Sequence, residues 1–174
     1  MAQQGRPIAS RTPPPLYTAE QRVRRDSTPW TLVQGILAPF QFLVFAISLG
    51  LILRYFATGE GLALANGSVV AKTMVLYVIM ITGAIWEKVV FGQYLFAPSF
   101  YWEDVFSMLV LALHTAYLVA LFYGLLDGPA LMLLALAAYA AYVVNAAQFV
   151  LKLRAARLSA GRVVHAGSTL EAAR

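Results

Sequence analysis

The chain has 174 residues, 60% of them apolar and 12% charged, with a mean hydropathy of +0.70. Average soluble domains carry about twice that charged share, roughly 25%, so the composition excludes an ordinary soluble domain. The absence of cysteine excludes disulfides, thiolate metal sites and cysteine nucleophiles, and the net charge of +5 sits in the two tails, without the aromatic interleaving or motif of a nucleic-acid binder.

Residues 1–26 read as a disordered basic tail: Pro13-Pro14-Pro15 favours extended polyproline geometry, and apolar content is too low to fold. The polar, proline- and arginine-rich start predicts no cleavable signal peptide. A four-span transmembrane domain follows over residues 27–158, and residues 159–174 read as a loose tail. Each of four apolar stretches is about 20 residues or longer, enough to cross a hydrocarbon layer of about 30 Å. The expected fold is an all-α integral membrane four-helix bundle.

Span one runs over about 30–57, with Thr28 as its cap and Pro29 in the first helical position. Pro39 is expected to kink it. Gln34, Gln41 and Ser48 recur every seven residues and share one inward stripe, suited to interhelical hydrogen bonds or to a ligand. Span two covers about 68–91, with Lys72 near its start and able to snorkel, and Glu87 and Lys88 near its end. Span three covers about 101–126 and span four about 130–151, continuing as a basic amphipathic end through Lys152, Arg154 and Arg157. Lysine and arginine number five before Trp30 and five from Lys152 onward. That bias predicts both termini in the cytoplasm and a cytoplasmic connection between spans two and three.

The stretch Ile85–His114, IWEKVVFGQYLFAPSFYWEDVFSMLVLALH, concentrates the chemistry. Ionisable groups at membrane depth are costly and mark function by default. Glu87, Glu103 and Asp104 stand at one membrane boundary. For Glu87, mutual neutralisation with Lys88 or a place facing the headgroups is the plain alternative; for Glu103 and Asp104 it is a favourable place in the first turn of a helix. His114 is eleven residues beyond Glu103, on nearly the same face and roughly 16 Å deeper, with Tyr117 beside it. Asn145 and Gln148 face one way on span four, as helix-to-helix bonds or as ligand contacts. Trp86, Trp102 and Tyr101 suit an interfacial belt. No zinc spacing, glycine-rich phosphate loop or serine–histidine–aspartate set is present. The residues alone define a polar pocket facing one side of the membrane. A small transporter is disfavoured by the one-sided distribution of polar groups.

Three segments, TPWTLVQGILAPFQFLVFAISLGLILRY, TGAIWEKVVFGQYLFAPSFYWEDVFSMLVLALHTAY and AYVVNAAQFVLKLRAARL, resemble the 3-vinyl (older name 2-vinyl) bacteriochlorophyllide hydratase family over about residues 20–158. The resemblance implies a hydro-lyase of bacteriochlorophyll synthesis in a bacterial photosynthetic membrane. Such an enzyme adds water to the C3 vinyl group of a chlorophyllide or bacteriochlorophyllide and yields a 1-hydroxyethyl group. It implies a tetrapyrrole substrate and a lipid environment. The reaction needs no cofactor, magnesium entering only within the substrate. A homo-oligomer or an association with other pigment-synthesis enzymes is a further expectation, and a non-catalytic pigment carrier is the alternative.

Hydration of a vinyl group asks for a proton donor to the terminal carbon and a base for the attacking water. Glu87 and Glu103 are the expected acid–base pair, in either order, with Asp104 as the substitute for either. Expected substrate contacts are His114 as an axial ligand to the substrate magnesium or as a water-orienting group, Asn145 and Gln148 to ring carbonyls, and Lys88, Lys152 or Arg154 to the propionate. Tyr117 and Gln41 complete the expected pocket.

Overall fold

The computed structural model describes residues 16–172. Five helices follow one another: α1 (Ala19–Ser27), α2 (Pro29–Thr58), α3 (Leu62–Phe91), α4 (Tyr101–Phe122) and α5 (Gly128–Ala172). Four of them are long and apolar enough to cross a membrane, over Pro29–Thr58, Leu62–Phe91, Tyr101–Phe122 and Gly128–Arg157. Large apolar side chains such as Phe42, Ile47, Ile81, Phe122 and Val150 stay exposed on the outside of the bundle. That is the pattern a lipid solvent permits, since hydrocarbon tails are as apolar as leucine.

The expected tails depart from the sequence reading at both ends. Residues 1–15 lie outside the described residues, but α1 is a helix where a disordered tail was expected. A reciprocal capping box starts it: Gln21 N–H donates to Thr18 Oγ1 (3.2 Å) and Thr18 N–H donates to Gln21 Oε1 (2.9 Å). Ahead of it Tyr17 is buried, stacked on Phe91 with centroids 5.7 Å apart, and Ser99 Oγ donates to the Leu16 carbonyl at 2.9 Å. Tertiary packing on α3 therefore orders a segment whose composition alone would not. At the other end α5 continues to Ala172 through the region expected to be loose.

Thr28 caps α2, and Pro39 is carried inside one continuous helix. α2 and α3 form one hairpin. Its turn places Gly59 (φ 74°) and Gly61 (φ 85°) in the left-handed region, which only glycine adopts without strain. Gln34 Nε2 donates to Thr82 Oγ1 (2.7 Å), and Ser48 and Ser68 share a 2.6 Å hydrogen bond. α4 and α5 form the second hairpin, tied by Asn145 Nδ2 to Ser107 Oγ (2.8 Å) and by Lys152 to Glu103. Helices pack closely within each hairpin, and the hairpins meet along a seam filled by longer side chains. Ile52, Ala65, Val69, Val110, Met132 and Ala135 are fully buried around it. Trp86 donates to Thr31 Oγ1 and Lys152 reaches Glu103, so the chain enters and leaves the bundle at the end where the α3–α4 connector lies.

Candidate active site

Three buried carboxyl groups meet at that end of the bundle: Glu87, 5% exposed, Glu103, 7%, and Asp104, 3%. Gly92 (φ 88°) terminates α3 in the left-handed region, and its N–H donates to the Lys88 carbonyl. The connector then folds back so that successive backbone amides point inward. Phe96 N–H donates to Asp104 Oδ2 at 2.7 Å, and Ala97 N–H approaches Glu87 Oε2 at 3.4 Å. Phe96 takes φ 60°, an uncommon value for a side chain this large. Such strain persists only where the surroundings enforce it, and here it aims both amides at the carboxyl groups.

Glu87 and Asp104 thus lie as buried neighbours beneath these two amides, close enough for their carboxyl groups to interact. A protonated carboxyl group can donate to a neighbouring carboxylate, so two such groups side by side are able to share one proton. Glu103 is turned elsewhere: Lys152 Nζ stands 2.5 Å from its Oε2. Of the three carboxyl groups expected at the site, Asp104 lies with Glu87 under the connector amides and Glu103 lies with Lys152. Adjacent helical residues point about 100° apart, so only one of Glu103 and Asp104 can face α3. The α4–α5 packing takes Glu103 by supplying a lysine.

Aromatic rings close the end of the bundle around these groups. Phe100 stacks on Phe149 (5.8 Å) and meets Trp86 and Phe91 edge-on, while the Lys152 amine lies 5.0 Å over the Phe100 ring. Trp102 and Tyr101, expected at the interface, are exposed. Lys88 is exposed and donates to the Gly92 carbonyl, away from the carboxyl pair. Lys152 is held by Glu103, and Arg154 is exposed on α5.

The other expected contacts do not all join this cluster. His114 is fully buried about ten residues along α4 from Asp104, a rise of about 15 Å. Its Nδ1 lies 2.8 Å from the Val110 carbonyl and must be the donor there; its Nε2 lone pair then accepts from Lys72 Nζ at 2.6 Å. Neither nitrogen is left open for axial ligation of a metal. Tyr117 is also buried and donates to Asn66 Oδ1 (2.9 Å), deeper still. Between the two clusters stand Asn145, Gln148 and Gln41. Asn145 Oδ1, Gln148 Oε1 and both amide atoms of Gln41 are buried without a hydrogen-bond partner among the described residues.

Lys72 escapes the sequence reading. It was expected to snorkel from the start of a span at residue 68, but α3 begins at Leu62, so Lys72 lies ten residues in and is fully buried. A helix start set at Gly61 would have shown an unshielded mid-span lysine. The Phe96 and Ala97 amides leave no trace in side-chain chemistry and could be read only from the fold.

The architecture and the site together define a multi-pass membrane protein that holds a buried pair of neighbouring carboxyl groups under two backbone donors, an arrangement suited to acid–base chemistry on an apolar substrate. Residues 17–155 match the family model described as 2-vinyl bacteriochlorophyllide hydratase, and the chain belongs to that family. A curated relative of that name from Cereibacter sphaeroides is 72% identical over 143 residues, covering 82% of this chain and 89% of the relative. One from Rhodobacter capsulatus is 66% identical over 145 residues, covering 83% and 84%. No solved structure matches the chain.

Proposed function

We propose that the chain hydrates the C3 vinyl group of a chlorophyllide-type tetrapyrrole to a 1-hydroxyethyl group, with Glu87 and Asp104 as the acid–base pair. The observation that carries the residue assignment is the burial of both carboxyl groups beneath the Phe96 and Ala97 amides, one bonded to each. Asp104 receives the shorter backbone bond, and charged acceptors draw shorter bonds, so it is the carboxylate of the pair and Glu87 carries the proton.

The step balances without redox. Glu87 gives its proton to the terminal vinyl carbon, and the positive charge appears on the inner carbon, delocalised into the ring. Water attacks that carbon and passes a proton to Asp104. Because the two carboxyl groups are neighbours, the proton then passes back from Asp104 to Glu87 and the pair is reset. Negative charge on the pair also stabilises the developing cation. No resident cofactor is called for, and magnesium enters as part of the substrate. Glu103 and Lys152 hold the first turn of α4 and keep a third carboxylate from crowding the pair.

Basic residues in both tails support cytoplasmic termini, with the carboxyl pair in the cytoplasmic half of a bacterial photosynthetic membrane. The test is turnover of chlorophyllide by Asp104→Asn and Glu87→Gln variants in lipid nanodiscs, read by appearance of the hydroxyethyl product. Each should lose about 10²–10⁴-fold, the usual scale of general acid–base catalysis. Unreduced turnover in both variants rejects the assignment.

A further inference from the structure

The mechanism makes no use of Lys72, although a fully buried lysine inside a membrane span is costly and marks function by default. No carboxylate pairs with it among the described residues. Its amine is held by His114 Nε2 at 2.6 Å and lies 4.2 Å from the centroid of the Tyr142 ring and 5.2 Å from that of Tyr139. An amine has more than one N–H to give, and His114 takes one.

The surroundings of Lys72 point to a ligand. Gln34 bonds Thr82 and Ser48 bonds Ser68 across antiparallel α2 and α3. Gln41, midway between Gln34 and Ser48, therefore faces the level of residue 75, about 4.5 Å of helix rise from Lys72. It is 1% exposed with both amide atoms unpartnered. Along α5, Tyr142, Asn145 and Gln148 follow at three-residue steps, and the two amides each leave an oxygen unpartnered. Buried polar groups are nearly always satisfied. A row of unsatisfied ones between the hairpins, running from Lys72 to the carboxyl pair, marks a surface built for a polar-edged guest. An apolar groove of about 360 Å³ lies between α2 and α5, lined by Phe45, Leu49, Leu136, Tyr139, Ala140 and Val143. Phe45 and Tyr139 are packed together there, and Tyr139 stands between the groove and Lys72. That ring contact closes the groove off from the seam behind it.

We propose that Lys72 anchors the substrate. The macrocycle enters from the lipid between α2 and α5 by parting the Phe45–Tyr139 ring contact, and displaces seam side chains to lie edge-on, with its vinyl group at Glu87 and Asp104. The Lys72 amine donates to the ring ketone on the opposite edge. Ketone and vinyl stand across the ring from each other in chlorophyllide-type macrocycles. The rise of about 15 Å along α4 from Asp104 to His114 is of the order of that ring's width. This placement rests on the proposed hydratase reading and deepens it.

The test measures binding rather than turnover. The full chain in nanodiscs is titrated with a 3-ethyl chlorophyllide, which has no vinyl group to hydrate, and with its deoxo counterpart lacking only the ring ketone. Wild type should bind the ketone about tenfold more tightly, the scale of one hydrogen bond to a charged or strongly polar donor. The ketone stretch of the bound pigment should shift to lower frequency. Lys72→Met should bind both pigments equally and return the stretch to its free value. A wild type without discrimination or without the shifted stretch overturns the proposal on its own, whatever the folding of the variant. A Lys72→Met chain that keeps both also overturns it. Asp104→Asn and Glu87→Gln at full turnover would remove the acid–base assignment while leaving these binding outcomes readable.

Discussion

Asp104 and Glu103 are neighbours in sequence with opposite fates in the fold. Asp104 faces Glu87 and takes the Phe96 amide; Glu103 faces Lys152. Asp104→Asn should thus cost orders of magnitude in turnover, whereas Glu103→Gln should stay within about tenfold of wild type, because glutamine keeps an oxygen that accepts from Lys152 and Glu103 takes no part in the proposed proton transfer. A product assay that ranks the two the other way would restore the pairing expected from the sequence. His114 shows the same dependence on context. A mid-membrane histidine is rightly read as significant from the sequence, but its use as a metal ligand requires a free lone pair, and Lys72 takes it.

Among the elements, the α3–α4 connector contributes most to the site. Its distinctive residue is Phe96, whose positive φ aligns two backbone amides with two carboxyl groups. Phe96→Gly keeps the N–H and tolerates that φ, so turnover should fall by no more than severalfold. Phe96→Pro removes the donor and forbids the conformation. Its turnover should fall toward that of Asp104→Asn while the helical circular dichroism is unchanged. Equal activities in the two variants would show that the amide is not needed. α1 gives the complementary lesson. Its composition argues against folding alone, and its order comes from the Thr18–Gln21 capping box and from Tyr17 packing on Phe91 and Phe100.

For the whole molecule, the paired hairpins return the chain to the end where it entered, so both ends of the bundle domain share one side while the α2–α3 turn lies on the other. The chain has no native cysteine, which makes single-cysteine labelling clean. In right-side-out cells, Glu60→Cys should react with a membrane-impermeant maleimide, and Asp26→Cys should react only after permeabilisation. Labelling of both from outside would refute the four-crossing topology.

Composition and hydrophobic run length by themselves determined the all-helical class and the four helices able to cross a membrane, and the positions of charged residues along those runs marked the end of the bundle where carboxyl groups gather. Those properties follow from transfer of side chains and backbone between water and hydrocarbon, which depends on residue type summed over a window. The quoted sequence blocks also carried the family. Only the tertiary structure decided which carboxyl groups lie under the two connector amides, and that Lys72 is buried against His114 rather than reaching for the surface. Each of those outcomes turns on a helix phase of about 100° per residue or on one backbone dihedral. Such differences cost little locally and are settled by what the neighbouring helix presents.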